Sequence, residues 1–255
     1  MIQVGDFYLY DRNEFTFEDK LICNMIGKEL LDFIKRGGLC VAGGTLRSIF
    51  GREKVSDIDL YLGNSTEFSK TYLGFDASSV PHKLLLDSSN AATFEVYPGT
   101  NRVMIVQFIK VISGLVIDIL SEFDFTICMA AWSPFSGFTF HKDFLRHLAS
   151  KSLVINTQCK YPLATIARLP KYLSRGFKIS GIDLVKLGIL CTKVNLKDMS
   201  EAKKHLMGID IAYLTALFSQ MEKDGCIWSS PMELIGVIER YINNGVEVER
   251  EEVNG

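Results

Sequence analysis

A chain of 255 residues, 47% hydrophobic and 23% charged, has the balance of a globular protein and enough length for one large domain or two small ones. Its net charge of −2 removes the general electrostatic argument for nucleic-acid binding, so only a local basic patch could supply one. Six cysteines with no Cys-x-x-Cys pair and four scattered histidines offer no zinc spacing and read as reduced core thiols of a cytoplasmic protein.

The first six residues have neither the basic nor the apolar region of a secretion signal. Thr16 is placed to cap a helix running to about residue 34, with Leu21, Ile22, Met25, Leu30, Phe33 and Ile34 on one face and Gly37-Gly38 at its end. Residues 39–42 read as a first core strand and 57–62 as a second, followed by a short helix over 65–73. Residues 92–97 and 102–111 read as a hairpin turned at Pro98-Gly99, and 116–123 as a helical link. Residues 125–132 read as a buried strand, turned by 133–137 into a strand over 138–141. Gln107, Lys110, Asp118, Glu122 and Asp124 interrupt the apolar stretch 103–132, which marks it as core and not a membrane span. Beyond 142 the pattern is helical, over 142–149, 162–175, 181–193, 200–207, 209–223 and 231–243, with an acidic, frayed end at 247–252. The expectation is an α/β (α+β) domain with a mixed sheet over 1–141 and an all-helical region over 142–255.

The most informative segment is Val41-Ala42-Gly43-Gly44-Thr45-Leu46-Arg47-Ser48, followed by Ser56-Asp57-Ile58-Asp59-Leu60. A Gly-Gly turn brings bare backbone N–H groups to a helix start, which suits a phosphate. Strand alternation points Asp57 and Asp59 the same way, and two neighbouring carboxylates suit a hard divalent cation. Phosphate cradle and metal carboxylates together are the equipment of phosphoryl or nucleotidyl transfer.

Gly43-Gly44-x-x-Arg47 ahead of Asp57-x-Asp59 resembles the nucleotidyltransferase fold of DNA polymerase β, poly(A) polymerases and, most closely in pattern, CCA-adding tRNA nucleotidyltransferases. Those last enzymes have Gly-Gly-x-Val-Arg-Asp; here Leu46 stands for the Val and Ser48 for the Asp. Residues 123–130 resemble their Arg-Arg-Asp-Phe-Thr-Ile-Asn-Ala segment without its arginines and asparagine, and 161–179 resemble their neck helix. The resemblance implies transfer of a nucleoside monophosphate from an NTP to an acceptor hydroxyl, most readily an RNA (tRNA) 3′ end. Alternatives are a protein or small-molecule hydroxyl, or a non-catalytic descendant kept as a nucleotide- or partner-binding module. Asp57 and Asp59 would bridge two Mg²⁺ ions.

A third carboxylate is expected from Asp124, with Glu95 and Asp118 as alternatives, because the strand that might have carried it has Gln107. Gly43, Gly44, Thr45, Arg47 and Ser48 would meet the nucleotide's phosphates. Between residues 142 and 178 eight basic side chains face one acid, Asp143. Arg168, Lys171 and Arg175 share a helix face there, and Arg168 and Lys171 suit a triphosphate or an RNA backbone. Sequence-specific DNA binding and a membrane partner are not expected.

Overall fold

The structure is a computed structural model that describes residues 1–63, 68–88, 90–98, 103–205 and 212–243. Two compact units, Met1–Gln158 and Cys159–Gly255, divide the chain.

The first unit is built on a nine-stranded sheet. Its strands are β1 (Ile2–Val4), β2 (Phe7–Tyr10), β3 (Leu39–Ala42), β4 (Asp57–Leu62), β5 (His82–Asp87), β6 (Ala91–Val96), β7 (Met104–Ser113), β8 (Ala130–Ser133) and β9 (Gly137–His141). The spatial order is β1-β2-β9-β8-β3-β4-β7-β6-β5. Among the described residues β4 and β7 pair parallel and the other neighbours antiparallel, which makes the sheet mixed. Its helices are α1 (Thr16–Ile26), α2 (Lys28–Gly37), α3 (Gly44–Phe50), α4 (Phe68–Asp76), α5 (Val116–Ser121) and α6 (Phe144–Ala149).

The predicted helix over 16–34 is two helices. Gly27 breaks it at φ 77°, and a Cβ there would lie 2.8 Å from the Pro98 carbonyl oxygen. Glycine admits both the backbone angle and the close approach. Asp11, not Thr16, makes the cap: it closes a capping box with Glu14 over a 3₁₀ turn, Arg12–Phe15, and α1 follows directly.

Alternation along the strands sorts the two sheet faces. Ile58, Leu60, Phe94, Val106 and Phe108 are buried, and Phe33 of α2 and Phe75 of α4 pack on them with ring centroids 4.8–6.0 Å apart. Asp57, Asp59, Gln107 and Thr93 stand one residue out of phase, on the face away from α2 and α4. A second aromatic cluster joins Phe15, Phe50, Phe138, Phe140 and Phe144, which anchors α3 and α6.

One predicted strand differs. Residues 125–132 are not one strand: Thr126–Cys128 is a 3₁₀ turn closed by Cys128 N to Phe125 O at 2.8 Å, and β8 begins only at Ala130. The hairpin β6–β7 is present, while residues 99–102 at its tip lie outside the described residues. Among the described residues the structure adds five strands to those predicted: β1, β2 and the edge strand β5, whose Leu84, Leu85 and Leu86 are exposed, and two two-residue strands, Ser152–Leu153 and Lys178–Ile179, within the region expected to be all-helical.

The second unit is helical, with α7 (Pro162–Ser174), α8 (Gly181–Cys191), α9 (Met199–His205), α10 (Ala212–Lys223) and α11 (Pro231–Asn243). Ala202, Leu217, Phe218, Met221, Trp228, Leu234 and Val237 form its core. The predicted starts of helices at 65 and 209, and the acidic end at 247–252, lie outside the described residues. No helix of the described residues is long and apolar enough to cross a membrane. All six cysteines are free thiols, and burial pushes Cys40 up to about 12.

Candidate active site

The buried central strand β3 delivers the chain to Gly43, whose N–H donates to the Ala130 carbonyl of β8 at 3.0 Å. Gly43 has φ 77° and ψ −128°, and its carbonyl accepts the Arg47 N–H at 3.1 Å to start α3. A Cβ on Gly43 would sit 3.1 Å from Cε2 of Phe123 and 3.9 Å from Oδ2 of Asp59. The turn therefore runs beside the second aspartate. No side chain caps the first turn of α3, and a Cβ on Gly44 would meet nothing within 4 Å.

The next three predicted phosphate residues point into the protein. Thr45 is buried and donates its hydroxyl to the Asp57 carbonyl at 3.1 Å, which ties α3 to the start of β4. Arg47 has a side chain only 4% exposed; it donates Nη1 to Glu53 at 2.7 Å and Nη2 to the Ser48 hydroxyl at 2.9 Å. Lys151 donates to the other Glu53 oxygen at 2.7 Å. Thr45, Arg47 and Ser48 thus brace the loop between the glycine turn and the aspartates.

Glu53 explains a gap in the motif. The carboxylate paired with Arg47 comes from six residues downstream, and no local spacing marks it. Burial works to raise the Glu53 carboxyl, but Lys151 and Arg47 outweigh it and hold it below the usual range. A depressed carboxylate contributes stability that is present above its unfolded value and lost as pH falls through the folded one. The melting temperature should therefore hold at neutral pH and fall below about pH 4.5, with Glu53 among the carboxylates responsible. Glu53→Gln should cost about 3 kcal/mol in denaturant unfolding at pH 7, because it removes the carboxylate that pairs with the buried Arg47.

Asp57 and Asp59 are half-buried at the head of β4. Ser56 donates its hydroxyl to Asp57 Oδ1, and Gln107 Nε2 lies 3.5 Å from Asp57 Oδ2. In the parallel register Asp57 faces Ile105 and Asp59 faces Gln107. Across β6, Gln107 faces Thr93 and Ile105 faces Glu95.

The three candidates for a third carboxylate stand on three different segments. Glu95 is two strands from Asp57, about 10 Å at ordinary strand spacing. It bonds the Tyr97 hydroxyl, whose pKa it raises. Asp118 sits on α5 beside Gly114. Asp124 is buried; its carboxylate accepts the Phe125 N–H at 2.9 Å and its carbonyl the Asn156 N–H at 2.8 Å. Among the described residues no three His, Cys, Asp or Glu side chains converge as metal ligands, so Asp57, Asp59 and Asp124 are not brought into one such group. The neighbouring Phe123 packs beside Gly43, with its ring 5.6 Å from that of Tyr61. Two hard carboxylates on one strand face still suit a divalent cation that takes its remaining ligands from phosphate and water. Arg168 and Lys171 lie on α7 of the second unit, both half-buried and both engaged by protein groups.

This sheet, with its glycine turn and paired aspartates, is the fold of the polymerase β-like nucleotidyltransferases. A CCA-adding enzyme in complex with CTP is similar over 95% of this chain and 62% of its own, at 19% identity and a TM-score of 0.53. The ATP complex of a CCA-adding enzyme matches 95% of this chain and 64% of its own, at 17% identity and 0.50. At such identities the likeness is one of fold.

Residues 13–151 match the Gabija anti-defense 2 family, and the chain belongs to that family. A curated relative, Gabija anti-defense 2 of Bacillus phage SPbetaL7, is 26% identical over 211 residues, 82% of this chain and 51% of the relative. The chain spans about half the length of that relative and under two thirds of the CCA-adding enzymes.

Proposed function

We propose that the chain is a Mg²⁺-dependent nucleotidyltransferase that places a nucleoside monophosphate on an acceptor hydroxyl, and that this transfer serves an anti-defense role. The observation that carries the reading is the Asp57–Asp59 pair beside the Gly43-Gly44 turn, on the sheet face away from α2 and α4. The fold shared with CCA-adding enzymes supports an NTP as donor. Membership of an anti-defense family supports an acceptor whose modification disables the Gabija defense, and an RNA 3′ end, such as that of a tRNA, is the acceptor the fold favours.

In this reading Asp57 and Asp59 would hold Mg²⁺, which when bound neutralises charge on the phosphates during in-line displacement. The Gly43-Gly44 backbone receives the phosphates, because no side chain obstructs it at Gly44. Thr45 and the Arg47–Glu53–Lys151 network hold the turn and the aspartates in register. Asp124 acts through its hydrogen bonds, fixing the segment that carries Phe123 against Gly43. Arg168 and Lys171 serve the acceptor's backbone. The acceptor oxygen forms a bond to the α-phosphorus, the α–β anhydride bond breaks, pyrophosphate leaves, and the hydroxyl proton passes to water.

Gly44→Ala separates ligand approach from folding. The added methyl meets no protein atom, so the melting temperature should not change. NTP affinity, read by calorimetry, should fall about tenfold as the methyl obstructs the phosphate's path.

The test of turnover is incubation with α-labelled NTPs, Mg²⁺, total tRNA and the defense components. Label on an RNA or protein band is the expected result. No labelled product from folded protein that still binds NTP with Mg²⁺ would favour a second reading, a nucleotide-binding module, for which Gln107 in place of a third acid is the motivating observation.

A further inference from the structure

On the side of the sheet that carries α2 and α4, a cavity stands that the reaction scheme leaves unused. Its volume is about 450 Å³, within the range of small-molecule sites. The buried Phe33 ring, 5.0 Å from that of Phe75, lies on one side. Gly37, Thr71, Gly74 and Ala77 line the rest with little side chain. Glycine inside a helix is less favourable than alanine. Gly74 sits in α4 without a positive φ, and a Cβ there would meet nothing within 4 Å, so neither backbone nor packing calls for it. Its missing side chain keeps the cavity open.

A second cavity, about 560 Å³, shares Arg36 and Ser79 with the first. It is also lined by Lys28 and Lys35 and by Glu29 and Asp32, so three positive charges there face two negative ones. Among the described residues Arg36 is the one charged group lining the first cavity, and Asp76, next to Ala77, is engaged with His82 at 3.6 Å. Arg36 Nε donates to the Asp32 carbonyl at 3.3 Å, and its terminal amines have no partner among the described residues. The Ser79 N–H and hydroxyl have none either. A guanidinium fork beside a free N–H and a hydroxyl is a donor set suited to phosphate. We propose that this recess binds a small phosphate monoester, with the phosphate on Arg36 and Ser79 where the two cavities meet and the uncharged body in the cavity beside Gly74. The acids Glu29 and Asp32 line the other cavity, which keeps the body out of it.

The experiment titrates AMP, ribose 5-phosphate and adenosine into the full chain in EDTA, following binding by saturation-transfer NMR. Without a divalent cation the Asp57–Asp59 pair contributes no metal-dependent binding. AMP and ribose 5-phosphate should bind saturably, and adenosine, which lacks the phosphate, should not. Arg36→Gln should weaken AMP at least about tenfold, through loss of a charge-assisted hydrogen bond. Gly74→Leu should block it by filling the cavity, with the melting temperature unchanged. Gly44→Ala, at the glycine turn on the other side of the sheet, should leave it unaltered. Absence of AMP and ribose 5-phosphate binding, or adenosine binding as tightly as AMP, would overturn the proposal without any variant. So would an affinity unchanged in folded Arg36→Gln or folded Gly74→Leu, or one lost in Gly44→Ala. Failure of the Asp57–Asp59 assignment leaves these results untouched, since none of them uses Mg²⁺ or transfer.

Discussion

Asp57→Asn with Asp59→Asn should reduce transfer at least about a thousandfold, because the reaction loses the charges that organise phosphate neutralisation. The same double change should leave the melting temperature, measured without metal, equal or slightly higher. Both carboxylates are half-buried on one strand face, and asparagine keeps their size, so the change opens no cavity. Fold retained and activity lost is the signature of a residue kept for chemistry. A large drop in melting temperature would mark the pair as structural.

Gly43→Ala should damage both. At φ 77° and ψ −128° the backbone occupies a region essentially reserved for glycine, and forcing alanine into it costs about 1–3 kcal/mol. The new methyl would press on the Phe123 ring at 3.1 Å and stand 3.9 Å from the Asp59 carboxylate, so relief of the clash shifts the second aspartate or the turn. Transfer should fall by at least about a hundredfold, since misplacement of a reacting group by 1 Å is enough for that loss. The two adjacent glycines therefore separate by mechanism. Gly44→Ala leaves folding intact and weakens the nucleotide, whereas Gly43→Ala lowers the melting temperature as well.

The backbone of the candidate site was legible because its physics is local. A Gly-Gly turn between a strand and a helix, then two aspartates with one residue between them, specify a backbone and a shared face without reference to the rest of the chain. The mixed α/β architecture followed from the same local patterns. What escaped depends on distant residues. Arg47 and Ser48 read as phosphate donors, yet Arg47 bonds the Ser48 hydroxyl and Glu53, which reaches it from a loop, and Lys151, distant in sequence, closes the network. Gln107 was visible as a missing acid, but its place opposite Asp59 is set by the parallel pairing of β4 with β7, a register that no local pattern encodes. Gly27 sat inside an amphipathic run and broke it, because the approach of Pro98 allows no side chain there. The apolar run 125–132 read as strand although its first half spends its hydrogen bonds on a 3₁₀ turn. Strand β5 carries three consecutive leucines without alternation, and β1 and β2 are only three and four residues long, so periodicity gave no sign of them.

The measurement closest to the central claim is calorimetric titration of a nonhydrolysable NTP into the full chain, with and without Mg²⁺, repeated on the Asp57→Asn, Asp59→Asn double variant. Binding that requires Mg²⁺ and disappears in the folded double variant is the expected result. Binding of equal strength without Mg²⁺, or undiminished by the double substitution, would contradict a nucleotide and metal site at Asp57 and Asp59.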